Sequence, residues 1–159
     1  MRYLVAAIAV LALAPSSAGA VELVNPDGSR AEPYQTWANS ARVPLPAGRF
    51  VVHRDTSICG YAVDPSGCAH PDGWIAIARD TYPMEPRHTF LHELGHHFIF
   101  QGPEWKRAWF KTVFPDTYGD ERFANVYAEC AVSPYRPRPA TSAYKSRSFY
   151  RRLCRIIAA

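Results

Sequence analysis

Between Pro86 and Pro103 the apolar positions return at helical spacing. In "PRHTFLHELGHHFIFQGP", Phe90, Leu91, Leu94 and Phe98 recur every three or four residues, which is the repeat of one helix face. Pro86 suits a first helical turn, and Gly102-Pro103 is a stop signal. Ahead of this helix the period shortens. "GWIAIARD" sets Trp74, Ala76 and Ala78 against Ile75 and Ile77, so it reads as a strand. Both of its faces are mostly apolar, which predicts cover on both sides. "GRFVVHRD", with Val51 and Val52, is a second strand, and "CGYAVD", followed by the turn "PSG", is a third candidate. Residues 21–48 are rich in Pro, Gly, Ala and polar residues and read as an irregular lead-in, with one short helical turn near "YQTWANSA".

Beyond the first long helix the pattern stays helical. "EWKRAWFKTVF" places Trp105, Ala108, Trp109, Thr112 and Val113 on one stripe and is ended by Pro115. "DERFANVYAECAV" puts Phe123, Val126, Tyr127 and Cys130 on one face and is ended by Pro134. "SPYRPRPA" reads as a stiff extended connector. "SAYKSRSFYRRLCRII" closes the chain as a helix, with Phe149, Leu153 and Ile156 inward. Strands first and helices afterwards predict an α+β domain. Its small N-terminal sheet is expected to be mainly antiparallel and packed on the helix that starts at Pro86.

Composition narrows this picture. The chain has 159 residues, enough for one domain. Its first 20 residues combine Arg2, the apolar run "LVAAIAVLALA" and small residues at Ala18 and Ala20. That pattern is a secretory signal with cleavage after Ala20. Residues 21–159 then form a single secreted domain, expected to be a monomer. No later apolar run is long enough for a membrane helix. The four cysteines, Cys59, Cys68, Cys130 and Cys154, show no CxxC spacing, and outside the cytoplasm an even count suggests two disulfides. The short separation favours Cys59–Cys68, leaving Cys130–Cys154. The net charge is +4, with basic residues crowded in "RPRP" and "KSRSFYRRLCR". A solvated helix face explains that cluster better than a nucleic-acid footprint, and no nucleic-acid partner is expected.

The histidines change the picture most. His92, Glu93, Leu94, Gly95 and His96 spell H-E-x-x-H. Residues four apart share a helix face, so His92 and His96 can aim two ring nitrogens at one zinc ion. Glu93, about 100° around the helix from His92, falls beside the metal without binding it. There it can take a proton from a metal-activated water and return it to a leaving amine. Gly95 removes a side chain where the helix presses on a neighbour, expected to be a strand. His97 points away from the pair and reads as a surface or packing residue, and His88 as a first-turn polar residue. A catalytic zinc needs a third protein ligand and an open position. No histidine follows His97, so the ligand must be a carboxylate: Glu104, Asp116, Asp120, Glu121 or Glu129. Glu121 is preferred, because Asn125 lies one turn later and can accept from a ligand histidine, His92 being the candidate. Glu129 is the alternative.

Together, "HELGH" and "ERFANVYAECA" resemble the zinc peptidases of the gluzincin type. The second helix is similar to that of the anthrax lethal factor catalytic domain, in the form E-x-F-A-x-x-Y/F. It is also similar to that of the ImmA/IrrE-like peptidases, in the form E-x-x-A-N-x-Y-A. In both comparisons the first Glu aligns with Glu121. The resemblance covers about thirty residues in two helices, together with the strand ahead of them. It implies a minimal zincin-like domain with Zn2+ on His92, His96 and Glu121, and a peptide or protein substrate. It also implies a strand edge along which the substrate pairs, "GWIAIARD" being the candidate, and a donor for the oxyanion. Tyr118 is the expected donor and Tyr127 the alternative. Two other readings share the residues: a secreted zinc-binding module without catalysis, and a disulfide-bonded domain in which the motif is accidental.

Overall fold

The computed structural model describes residues 20–60, 66–78, 85–102, 104–113, 119–133 and 146–159. Within them four strands form one sheet: β1 (Val21–Val24), β2 (Gly48–His53), β3 (Gly67–His70) and β4 (Trp74–Ile77). Five helices accompany it: α1 (Tyr34–Asn39), α2 (Pro86–Gln101), α3 (Glu104–Val113), α4 (Gly119–Val132) and α5 (Arg147–Ala158). The architecture is α+β, as expected from strands preceding helices. The strand order is β1-β2-β4-β3.

The sheet corrects one expectation, since it is mixed rather than mainly antiparallel. β1 and β2 run parallel, as do β2 and β4, and β3 pairs with β4 antiparallel. Loop length explains both outcomes. The stretch from Val24 to Gly48 includes α1, which carries the chain back to the starting end of the sheet before β2 begins. Only Pro71-Asp72-Gly73 links β3 to β4. Gly73 adopts φ +88° and donates its N–H to His70 O at 3.0 Å, a tight turn that forces an antiparallel return. β1 falls inside the stretch read as irregular lead-in.

The two sheet edges are treated differently. β1 is covered by α1, where buried Gln35 accepts from Leu23 N–H at 2.8 Å and donates to Val21 O at 3.2 Å. Side-chain amide bonds thus occupy backbone groups of that edge. The β3 edge carries no such cover among the described residues.

α2 is the central element. Residues from Thr89 to Gly95 are buried, together with His97 and Ile99. Phe90, Leu91 and Leu94 join Phe50, Val52, Ile75 and Ile77 of the sheet in one core. On its far side α2 packs against α4. Phe98 stacks over Phe123 at 6.2 Å and meets Tyr127 at 5.2 Å. At Gly95, an added Cβ would lie 3.0 Å from Ala124 Cα and 3.2 Å from Tyr127 Cβ. The neighbour that requires a glycine here is therefore helix α4, not a strand.

Two inward stripes sit one position away from their expected places. In α3 the buried residue is Phe110, with Trp109 and Val113 half-buried, while Trp105 is 60% exposed. In α5 the inward face is Tyr150, Leu153, Cys154 and Ile157, with Phe149 and Ile156 half-buried. The α5 disulfide to Cys130 turns Cys154 inward and sets that rotation. Both expected disulfides are present, Cys59–Cys68 and Cys130–Cys154.

Candidate metal centre

α2 presents His92 and His96 one turn apart, and α4 brings Glu121 to meet them. His92 Nε2 and His96 Nε2 are 3.2 Å apart. Glu121 Oε2 lies 3.1 Å from His92 Nε2, and Oε1 lies 3.3 Å from His96 Nε2. Tetrahedral ligands at 2.0–2.1 Å from a zinc ion are separated from one another by about 3.3 Å. The Glu121 carboxylate reaches one ring with each oxygen, and one donor atom from each of His92, His96 and Glu121 lies within 4.8 Å of the others, so the three can hold a metal ion.

Asn125 fixes the tautomer. His92 Nδ1 lies 3.1 Å from Asn125 Oδ1. An amide oxygen only accepts, so Asn125 accepts from the Nδ1–H, and a cation that displaces the Nε2 proton shared with Glu121 would meet the Nε2 lone pair. The placement of Glu121 and Asn125 one turn apart on α4 produces this arrangement directly. Hydrogen bonds from His92 and then His96 hold the Glu121 carboxyl far below the usual carboxylate range, so it is ionised when a cation arrives.

Glu93 has the opposite environment. It is 5% exposed, and burial pushes its carboxyl up to about 7, with the His92 charge pulling the other way. A carboxylate poised near neutral pH suits reversible proton transfer. Its neighbour is the edge strand. A Cβ added at Gly67 would stand 2.8 Å from Glu93 Oε1 and 3.0 Å from Thr89 Cγ2. A side chain at this position would have to push Glu93 or Thr89 aside.

The other named residues separate from this group. Glu129 lies against His88 at 3.4 Å, two turns along α4 from Glu121. His97 is a packing histidine, 2% exposed, with its ring 4.6 Å from Phe50 and Nε2 3.3 Å from Trp74 O. Burial lowers its imidazole to about 4. Tyr127 donates its hydroxyl to Pro44 O at 2.8 Å and is fully buried, so it is not an oxyanion donor. Tyr118 lies outside the described residues, as do residues 1–19 of the expected signal and residues 61–64 of the candidate strand "CGYAVD", whose first two residues are not a strand: Cys59 ends a 3-10 turn from Thr56 and Gly60 is left-handed. Glu104 opens α3 and Asp120 opens α4, and neither belongs to the converging group.

A cleft of about 570 Å³ lies over these donors. Ser66 and β3 residues Gly67, Cys68 and Ala69 form one wall, and Asp120, Glu121 and Asn125 form the other. Thr89 and Phe100 mark its two ends along α2. The strand edge at the cleft is therefore β3. β4, the expected candidate, is internal, paired on both sides by β2 and β3. Sequence reasoning missed β3 because "GCAH" carries no β-branched or aromatic run. The available signal was the Pro-Asp-Gly turn before "GWIAI". No protein family, curated protein or solved structure matches this chain.

Proposed function

We propose that this chain is a secreted zinc-dependent peptidase, with Zn2+ on His92, His96 and Glu121 and Glu93 as the general base. The observation that supports the reading is the meeting of His92, His96 and Glu121, with donor atoms within 4.8 Å of one another, beside a buried carboxylate that lies close under the edge strand at Gly67. Two imidazoles and one carboxylate form a donor set suited to zinc. When bound, the ion supplies Lewis acidity that polarises a carbonyl and acidifies water. Among the described residues no fourth His, Cys, Asp or Glu joins the three, which suits an open catalytic position better than a closed structural one.

The chain's own groups divide the remaining work. Glu93 takes the proton of the attacking water and hands it to the departing amine nitrogen. Burial keeps its carboxyl close to the pH at which it must both gain and lose that proton. Asn125 holds His92 in the ligating tautomer. β3 binds the substrate backbone. Ala78 donates to Ser66 O across the β3–β4 ladder, and alternation along an antiparallel pair then turns the N–H and C=O of Gly67 and Ala69 away from β4. An extended peptide can add there as a further strand, its carbonyl brought past Glu93. The two disulfides suit an oxidising compartment, in keeping with export.

The decisive experiment compares the purified chain with Glu93→Gln. Both should bind one zinc, and only the parent should cleave peptides, with at least about a 100-fold difference in rate. Equal cleavage, or none by either zinc-loaded protein, would remove the peptidase reading.

A further inference from the structure

Four large apolar residues are exposed among the described residues: Ile58, Phe100, Trp105 and Val132. Of these only Phe100, 44% exposed, lines the metal cleft. It sits one helical turn beyond His96, with ring centroids 6.4 Å apart and planes inclined by 24°. Whatever covers its open face therefore lies within about one helical turn of the metal donors.

The wall opposite adds direction. Gly67, at the start of β3, stands over Glu93. His70, at its end, pairs with Trp74, whose carbonyl lies against His97 Nε2 at 3.3 Å. β3 thus runs along α2 from the Glu93 level toward the Phe100 end, and a chain paired to its edge is carried across the Phe100 ring. A helical turn spans about 5.4 Å and an extended chain advances about 3.3 Å per residue. The side chain over Phe100 is then about one or two residues from the peptide bond at the metal. No Lys or Arg lines the cleft among the described residues, and its charged side chains other than histidine are Glu93, Asp120 and Glu121. An acidic side chain there would meet repulsion without a cationic partner, while an apolar one covers an exposed ring.

Building on the peptidase reading, we infer that Phe100 is a specificity-determining platform: the cleft selects an extended peptide with a large apolar side chain, aromatic or branched aliphatic, on the Phe100 side of the scissile bond. The chemistry is ring stacking and burial of the remaining Phe100 surface, with the backbone fixed by the Gly67 and Ala69 groups.

The test uses binding, so that it does not depend on turnover. Zinc-loaded Glu93→Gln protein is titrated calorimetrically with blocked alanine-based heptapeptides in which a single Phe, Leu, Lys or Asp is walked through the sequence. At one fixed position Phe and Leu should bind about tenfold more tightly than Ala, and Asp should bind most weakly. Adding Phe100→Ser should reduce the Phe preference to less than about twofold, and Phe100→Leu should keep most of it. Zinc stoichiometry and circular dichroism of each variant confirm that the site and fold persist. A Phe preference unchanged by Phe100→Ser would overturn the inference, as would no side-chain preference or no peptide binding. A Phe100-dependent preference in a protein that never cleaves peptide would uphold this inference while the peptidase reading fell.

Discussion

α2 and α4 bring histidine and glutamate together at two levels. At one, His92 and His96 meet Glu121, and at the other His88 meets Glu129 at 3.4 Å. The pairing order shows that the two helices run antiparallel, since lower numbers on α2 meet higher numbers on α4. The residue types are the same at both levels, yet among the described residues only the first gathers three donors within 4.8 Å of one another. At the first level, i and i+4 put a second imidazole on the same face, and Asn125 occupies the far nitrogen of His92. At the second, His88 Nδ1 is buried with no hydrogen-bond partner, so nothing fixes its ring from behind. What lets a His–Glu contact hold a metal is the convergence of a third donor and an acceptor behind the ring, not the presence of the two residue types.

Substitutions at the two levels should separate them. The largest effect is expected from Glu121→Ala, which removes one of three ligands and should weaken zinc binding by more than about 100-fold. Glu129→Ala, about 12 Å further along α4, should leave zinc affinity within about twofold. Competition titration against a chelating dye measures both. If the two variants lose zinc equally, the levels are not distinct. Next comes Asn125→Ala, which frees the His92 ring without removing a ligand and should cost about 10- to 100-fold in affinity. Asn125→Asp, which keeps an acceptor, should retain most of it, and an equal loss in both would argue against tautomer control.

Gly95 lies at the first level on α2, against Ala124 and Tyr127 of α4. Gly95→Ala places a methyl 3.0 Å from Ala124 Cα and should destabilise the fold by about 1–3 kcal/mol. Chemical denaturation of the zinc-free protein would read this out, and an unchanged midpoint would show that the helices are not in such close contact. The smallest effect belongs to Glu129→Gln. It removes the charge facing His88 but keeps the shape, and should cost about 1 kcal/mol of stability with zinc affinity unaltered.

Much of the site was legible in the sequence because helical spacing is rigid. H-E-x-x-H fixes His92 and His96 on one face, and the step from Glu121 to Asn125 fixes a ligand and its supporting acceptor on another. The same spacing located α2, α4 and both stop signals. What was less legible depends on how elements meet. Nothing local marks Gly95 as facing α4 rather than a strand, because close approach is a property of two surfaces. β1 is four residues long and β3 is a four-residue run without β-branched side chains. Their pairing comes from Gln35 and from the Gly73 turn rather than from strand propensity. The substrate edge was consequently assigned to β4, whose apolar alternation instead reflects burial between two strands. The inward face of α5 moved by one position where Cys154 is tied to Cys130, a fixed link that outweighs a broad apolar stripe.

Anomalous diffraction at the zinc edge, from crystals of the protein loaded with one equivalent of the metal, addresses the centre most directly. A single peak about 2 Å from His92 Nε2, His96 Nε2 and a Glu121 carboxylate oxygen is the expected result. A peak elsewhere, such as beside His88 and Glu129, or no peak at all, would contradict the account.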